Sequence, residues 1–193
     1  MKVTTRALIV LASLLAMAGL FFPLWHIQLL APEYPEGLDM YIWAGHLSGG
    51  TPYDIGNINV LNHYIGMQDI QENSIPELHV MPYVIGAIAL LGLLASITRN
   101  RPFLYVWLGT FVLFAVAGLV DFYKWEYNYG HNLDPASAVV IPGMVYQPPL
   151  IGSKHLLNFV ATSFPATGGL LLVSALGIGF VAFLYDVYFW KKA

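Results

Sequence analysis

The chain has no cysteine, few charged residues, and no lysine or arginine between positions 26 and 79. The lack of cysteine excludes disulfides, thiolate metal sites and covalently attached c-type haem. It also suits an oxidising compartment, where free thiols are a liability. Charged residues make up 10% of the 193, against about 25% in soluble domains. The composition therefore predicts an integral membrane protein, built as one unit over residues 1–193.

Several functional motifs are missing as well. No histidine lies inside a hydrophobic segment, which excludes the usual intramembrane bis-histidine haem site. A phosphate-binding glycine loop, a His-Glu-x-x-His zinc motif and a Gly-x-Ser-x-Gly elbow are all absent. No basic cluster favours nucleic acid as a partner. The hydrophobic segments carry no charge in their central parts, which weakens an ion-pump interpretation. We therefore expect that the protein is not an enzyme.

Four apolar segments approach the roughly 20 residues that cross a bilayer. They cover about 7–25, 80–98, 103–123 and 168–190. We predict an all-α membrane protein, a four-transmembrane-helix bundle capped by two extracytoplasmic loops at about 26–79 and 124–167. Ala16-Met17-Ala18 resembles a signal-peptide cleavage site, and cleavage there would leave three spans. Apolar character continues through Leu24, which favours retention of the first span.

Basic residues predict the orientation of these segments. Six of the eight basic residues lie next to those ends of the apolar segments that would face the same side of the membrane: Lys2, Arg6, Arg99, Arg101, Lys191 and Lys192. The first long loop carries seven acidic residues and no basic one. We therefore expect a multi-pass protein of the bacterial inner membrane, in contact with the lipid bilayer, with both termini in the cytoplasm and both long loops in the periplasm.

The long loops also contain all six histidines and three of the six methionines, and Met81 follows directly after the first loop. His63 and Met67 stand four apart on a helix predicted for residues 57–70, and His79 and Met81 form a His-x-Met pair. Imidazole binds several metals, whereas thioether selects Cu(I) among the common ones. These four residues are candidate copper ligands, with His131 and Met144 as additional ones. The alternative is that Met67 packs the loop helix onto the bundle and His79 is a hydrated interfacial residue.

The segment after the third span is rich in aromatic and polar residues. Asp121 or Glu126 could orient a metal-bound histidine as a hydrogen-bond acceptor. The alternative is an interfacial ion pair between Asp121 and Lys124. Further along, the many prolines of the second long loop predict an ordered, irregular structure. Residues 38–47 alternate weakly in polarity and are typical of a short strand or a helix.

Three strings resemble an uncharacterised four-span membrane protein family of Bacteroidetes-type bacteria. They are residues 61–67 (LNHYIGM), 121–134 (DFYKWEYNYGHNLD) and 142–152 (PGMVYQPPLIG). The resemblance covers nearly the whole chain, and that family is encoded beside nitrous oxide reductase and its copper-delivery factors. The resemblance implies that the protein supports a periplasmic copper enzyme of denitrification, part of a respiratory chain. The support would be assembly of the copper site or delivery of electrons. The resemblance implies no particular binding residues.

Three functions remain open from the sequence. The first is a non-enzymatic accessory protein that binds or passes copper with a periplasmic or membrane protein partner. The second is a structural subunit of a respiratory or other membrane complex, in which the histidines are incidental. The third is an enzyme subunit with a metal centre at the outer interface. The clustering of histidine and methionine favours the first, and the lack of dense ligand runs argues against a high-capacity copper carrier.

Overall fold

The computed structural model describes residues 1–190, with side chains through Tyr188. Within this part the chain forms five α-helices and one five-stranded antiparallel sheet. The prediction of an all-α bundle is therefore wrong, because both long loops contain strands. The helices are α1 Val3–Gly19, α2 Asp54–Ile65, α3 Glu77–Thr98, α4 Arg101–His131 and α5 Thr167–Trp190. The strands are β1 Trp25–Ala31, β2 Tyr34–Ile42, β3 Leu47–Gly49, β4 Gly152–Leu156 and β5 Phe159–Pro165.

Three of the helices, α3, α4 and α5, are long and apolar enough to cross a membrane. The first predicted span corresponds to α1, which is shorter and ends at Gly19, six residues before the predicted end. It packs along α5 and α3. The bundle core contains small residues that allow close helix approach, such as Ala12 and Ala89, and the indole of Trp107, whose Nε1 donates to the Ile88 carbonyl oxygen at 2.9 Å.

Helix α4 extends well past the predicted end of its span. Its 31 residues rise about 46 Å, against a hydrocarbon thickness of about 30 Å. About twenty residues, 101–120, are enough to cross the bilayer. Residues 121–131 exceed that length and lie at the end of α4 where the sheet lies. We call the sheet, α2 and residues 121–131 together the cap.

The sheet has the strand order β3-β2-β1-β5-β4. Its central pair joins the two ends of the chain, since Trp25 of β1 lies opposite Pro165 of β5. Strand β1 follows α1, and β5 leads directly into α5, so the strand pair continues into the α1–α5 helix pair. A Cβ atom at Gly168 would lie 2.6 Å from the Phe22 carbonyl oxygen, so only glycine permits this close passage.

Alternate residues of the strands point to opposite faces of the sheet. The inner face contributes Ile27, Leu38 and Met40 to a hydrophobic core that α2 completes with Ile58 and α4 with Tyr129. The predicted loop helix at 57–70 corresponds to α2, which begins at Asp54 and ends at Ile65. Its carboxylate at Asp54 accepts hydrogen bonds from the backbone N–H groups of Asp39, Gly50 and Thr51.

The end of the bundle opposite the cap holds most of the described basic residues. Arg6 donates from Nε to the Ser96 carbonyl oxygen at 2.6 Å. Arg101 lies 3.0 Å from a carboxylate oxygen of the buried Asp186, so α4 and α5 are joined by an ion pair at this end. The predicted basic pair Lys191 and Lys192 lies outside the described residues.

Candidate functional site

The predicted metal ligands at the end of α2, His63 and Met67, both line a polar cleft. His63 is exposed on the last turn of the helix, and Met67 follows the helix end, half-buried against the core of the cap. The two therefore do not stack as residues of one continuous helix would. Both nevertheless line an open cleft together with Asp69, Asn132 and Asp134. The Asp134 amide donates to the Gly66 carbonyl oxygen at 2.8 Å, which fixes one wall against the other.

The second predicted pair is separated by helix geometry. His79 and Met81 both lie in the first turns of α3, two residues apart. Side chains two apart on a helix point to different faces. His79 is exposed, whereas Met81 packs beside the buried Leu24 and Ile85. These two side chains therefore do not chelate one ion as a pair.

The two additional candidates, His131 and Met144, are at other places in the cap. The His131 ring stacks on Tyr127 with centroids 3.7 Å apart, and its Nδ1 lies 2.9 Å from the Tyr127 carbonyl oxygen. Since a carbonyl only accepts, Nδ1 is the protonated nitrogen, and Nε2 is left as the atom that could bind a metal. Met144 is half-buried after a turn that begins at Ile141.

Only His63 and Met67 of the six thus line the same cleft. Among the described residues, no three histidine, aspartate or glutamate side chains approach closely enough to hold a metal ion. Methionine sulfur can also bind a soft metal such as Cu(I), and Met67 lines the same cleft as His63. A copper site in the cleft therefore stays a prediction, with this one pair as its core.

A second cavity, which was not predicted from the sequence, lies inside the cap. This chamber of about 50 Å³ is enclosed by the inner face of the sheet, α2 and residues 121–131 of α4. Most of its wall is apolar. Asn62 and Tyr129 in the wall donate hydrogen bonds to backbone carbonyl oxygens. Two further oxygen-bearing side chains line it, Glu126 from α4 and Tyr146 from the loop before β4. Their exposed fractions are 0% and 1%.

Neither polar group has a hydrogen-bond partner among the described residues. Both carboxyl oxygens of Glu126 and the hydroxyl of Tyr146 are buried without one. Polar groups buried without a partner are rare and costly. Burial raises the pKa of Glu126 to about 7, because the ionised form loses its hydration. Glu126 therefore lies at the balance between charged and neutral forms near neutral pH.

The loop that carries Tyr146 is fixed to α4 one turn beyond Glu126. The Tyr146 amide donates to the Gly130 carbonyl oxygen at 3.0 Å. A Cβ atom at Gly130 would collide with the backbone of Gln147, so glycine is needed for this contact. Residues 126 and 130 share a helix face, which places the loop over Glu126.

The opposite wall of the chamber is also fixed by hydrogen bonds. Asn59 on α2 donates to the Ile70 carbonyl oxygen at 3.1 Å and accepts from the Ile70 amide at 2.7 Å. The Tyr129 hydroxyl donates to the Asp69 carbonyl oxygen at 3.1 Å. These bonds hold the segment after α2 against α4 and shape the chamber.

The outer face of the sheet, turned away from α2 and α4, carries a third group of polar side chains. His26 Nε2 lies 2.8 Å from Asp39 Oδ1, and Gln28 donates to the same oxygen at 3.0 Å. The His26 ring stacks on Tyr41 with centroids 4.4 Å apart. No side chain on this face is buried: the set is His26, Gln28, Leu30, Asp39, Tyr41, Ser48, Ser153, His155, Val160, Thr162 and Phe164.

One sign of the chamber was present in the sequence. Glu126 shares a helical face with Phe122, Tyr123, Tyr129 and Gly130, none of which is charged. A lone acid in that position beyond a span indicates a buried polar group. No local pattern pointed to Tyr146, because the loop that brings it to α4 has no periodic structure. No protein-family model and no curated protein matches the chain.

Proposed function

We propose that the chain is a non-catalytic accessory protein of the bacterial inner membrane that presents the outer face of its sheet to a protein partner in the periplasm. The observation that carries the proposal is this face. It holds an ordered network of His26, Asp39 and Gln28 beside stacked and exposed aromatic rings. Tyrosine is enriched among the residues that anchor protein interfaces.

Charge supports a basic partner. The hairpin between β1 and β2 carries Glu33 and Glu36, both exposed, at the end of the sheet away from the bundle. Asp69 and Glu72, which follow α2, are also exposed, and the whole segment 26–79 lacks a basic residue. Such a surface attracts a positively charged protein and accelerates its encounter.

Site-specific photo-crosslinking in cells tests the partner. A benzophenone amino acid at Thr162, on the outer face, should give a crosslinked product of defined mass. The same group at Val60, which is 51% exposed on α2, serves as the matched control and should give none. Equal products at both positions, or no product from Thr162 and Phe164, would refute partner docking on this face.

A narrower form of the proposal is that the accessory role is copper handling. The observation in its favour is that His63 and Met67 line one cleft with two carboxylates, Asp69 and Asp134. The resemblance to a family encoded beside nitrous oxide reductase points the same way. Deletion of the gene should then impair a copper-dependent periplasmic enzyme or its electron supply.

Competition for Cu(I) against a chromophoric chelator tests copper directly. Replacing both His63→Ala and Met67→Leu should weaken Cu(I) binding at least tenfold, whereas His79→Ala should leave it unchanged because His79 lies elsewhere on α3. If the purified wild type leaves all Cu(I) with the chelator, copper handling is excluded. The structural-subunit alternative gains support if such a protein also co-purifies stoichiometrically with a larger membrane assembly.

The orientation is tested by single cysteines, which label cleanly because the chain has none of its own. Tyr53, 76% exposed in the cap, and Asn100, in the turn between α3 and α4, are suitable positions. A membrane-impermeant maleimide should label Tyr53→Cys from the periplasm and Asn100→Cys only after lysis. Labelling of both from one side would contradict the proposed topology.

A further inference from the structure

We infer that the chamber in the cap is a binding site for a small alkylammonium ion. The inference starts from Glu126, which is fully buried with both carboxyl oxygens unpartnered. None of the residues that line the chamber is lysine, arginine or histidine. An ionised carboxylate in such surroundings is unfavourable unless a positive charge lies beside it. A cationic occupant supplies that charge.

The rest of the wall selects the kind of cation. Four aromatic residues line the chamber: Trp125, Tyr129, Tyr146 and Phe159. Aromatic rings attract an organic ammonium group through their negative faces, and a site of several rings is the usual way in which proteins hold alkylated amines. A hard metal ion would need six or more oxygen ligands, which this wall does not provide. The alkyl groups of an amine, in contrast, pack well against apolar side chains.

The size of the chamber limits the occupant. A volume of about 50 Å³ is enough for about three to five water molecules. An amine with about four non-hydrogen atoms, such as isopropylammonium, is of this size. Its N–H groups can donate to Glu126, and the buried hydroxyl oxygen of Tyr146 can accept. Both orphaned polar groups would then be satisfied by one ligand.

The inference does not depend on a protein partner, because the chamber faces α2 and α4 rather than the outer face of the sheet. It is tested with two ligands of the same shape, isopropylammonium and isopropanol, which differ in charge. Ligand-observed NMR on the full chain at pH 8, in an uncharged maltoside detergent, measures both affinities. The detergent offers neither anionic nor ammonium groups that would compete.

We expect wild type to bind isopropylammonium at least tenfold more tightly than isopropanol. Glu126→Gln should remove this preference, and Glu36→Gln, which removes an exposed acid of the β1–β2 hairpin, should retain it. Should Glu126→Gln fail to fold, Trp125→Leu provides a second test, since it should weaken binding of the cation more than that of the alcohol. The inference is overturned if wild type binds neither ligand, if it binds both equally, or if the preference survives in Glu126→Gln.

Discussion

Replacement of Glu126 by glutamine should abolish a loss of stability that the wild-type cap shows as the pH rises. The pKa of this carboxyl is raised from 4.5 to about 7 by burial, and the side chain is inaccessible to solvent. The folded protein therefore holds the proton at pH values where the unfolded chain has lost it. The contribution of Glu126 to stability is complete below about pH 4.5 and is lost as the pH rises through about 7. A shift of this size corresponds to about 3 kcal/mol.

Glutamine keeps the size of the side chain and cannot ionise. The stability of Glu126→Gln relative to wild type should therefore increase by about 3 kcal/mol between pH 4.5 and pH 8. Thermal unfolding in maltoside detergent, followed by tryptophan fluorescence, measures the difference at each pH. The other titratable groups that line the chamber are the phenols of Tyr129 and Tyr146, and burial raises the pKa of the Tyr129 hydroxyl. Glu36→Gln, at an exposed position, should show no such trend. A wild-type-to-variant difference that does not change with pH would refute the reasoning.

Two further predictions concern the cap. Burial alone would raise the pKa of Asp54, but hydrogen bonds from the Thr51 hydroxyl and three backbone N–H groups outweigh burial and lower it. Asp54→Asn should therefore lower the free energy of unfolding by about 2 kcal/mol near neutral pH, and this difference should shrink as the pH falls below about 4. Asp69→Asn, at an exposed position, should change the free energy of unfolding little in the same assay. Gly130→Ala should destabilise the cap by more than about 2 kcal/mol and open the loop at 144–150 to proteases, because its methyl group meets the Gln147 backbone. Gly118→Ala on the same helix has nothing within 4 Å and should be neutral or stabilising; equal effects of the two alanines would contradict the proposed contact.

The helices could be predicted from sequence because hydrophobic length is a local property. Each of α3, α4 and α5 contains an uninterrupted apolar stretch, and these correspond to three of the predicted spans. The end of α4 could not be read in the same way. Residues 121–131 are polar and aromatic, so their hydropathy indicates a loop, and they remain helical because one face packs on the core of the cap through Phe122, Trp125 and Tyr129.

The sheet was missed because its central pairing is not local. β1 and β5 are paired residue by residue although the partners lie 130 to 140 positions apart, and nothing near Trp25 in the sequence indicates Pro165 as its partner. Pro35 also argues against a strand at 34–42. The structure accommodates it because β3 pairs only with Met40, Tyr41 and Ile42, so β2 is an edge strand at Pro35.

The predicted metal site shows that residue spacing does not predict which side chains lie together when a helix ends between them. A separation of four residues brings side chains together only while the helix continues, and α2 ends between His63 and Met67. His79 and Met81, in contrast, remain within a helix that directs them apart. Glu126 and Tyr146 line the same chamber because Gly130, a residue with no ligand chemistry of its own, lets the Tyr146 loop pack on α4.

The continuity of α4 connects the chamber to the membrane part of the protein. The same helix packs Leu104, Trp107 and Phe111 into the bundle core and, without a break, carries Glu126 into the cap. The strand pair β1–β5 makes a second connection, since it continues into α1 and α5. An occupant bound at Glu126 would therefore contact a helix whose other part packs in the bundle core, so α4 is the element that joins the chamber to the bundle.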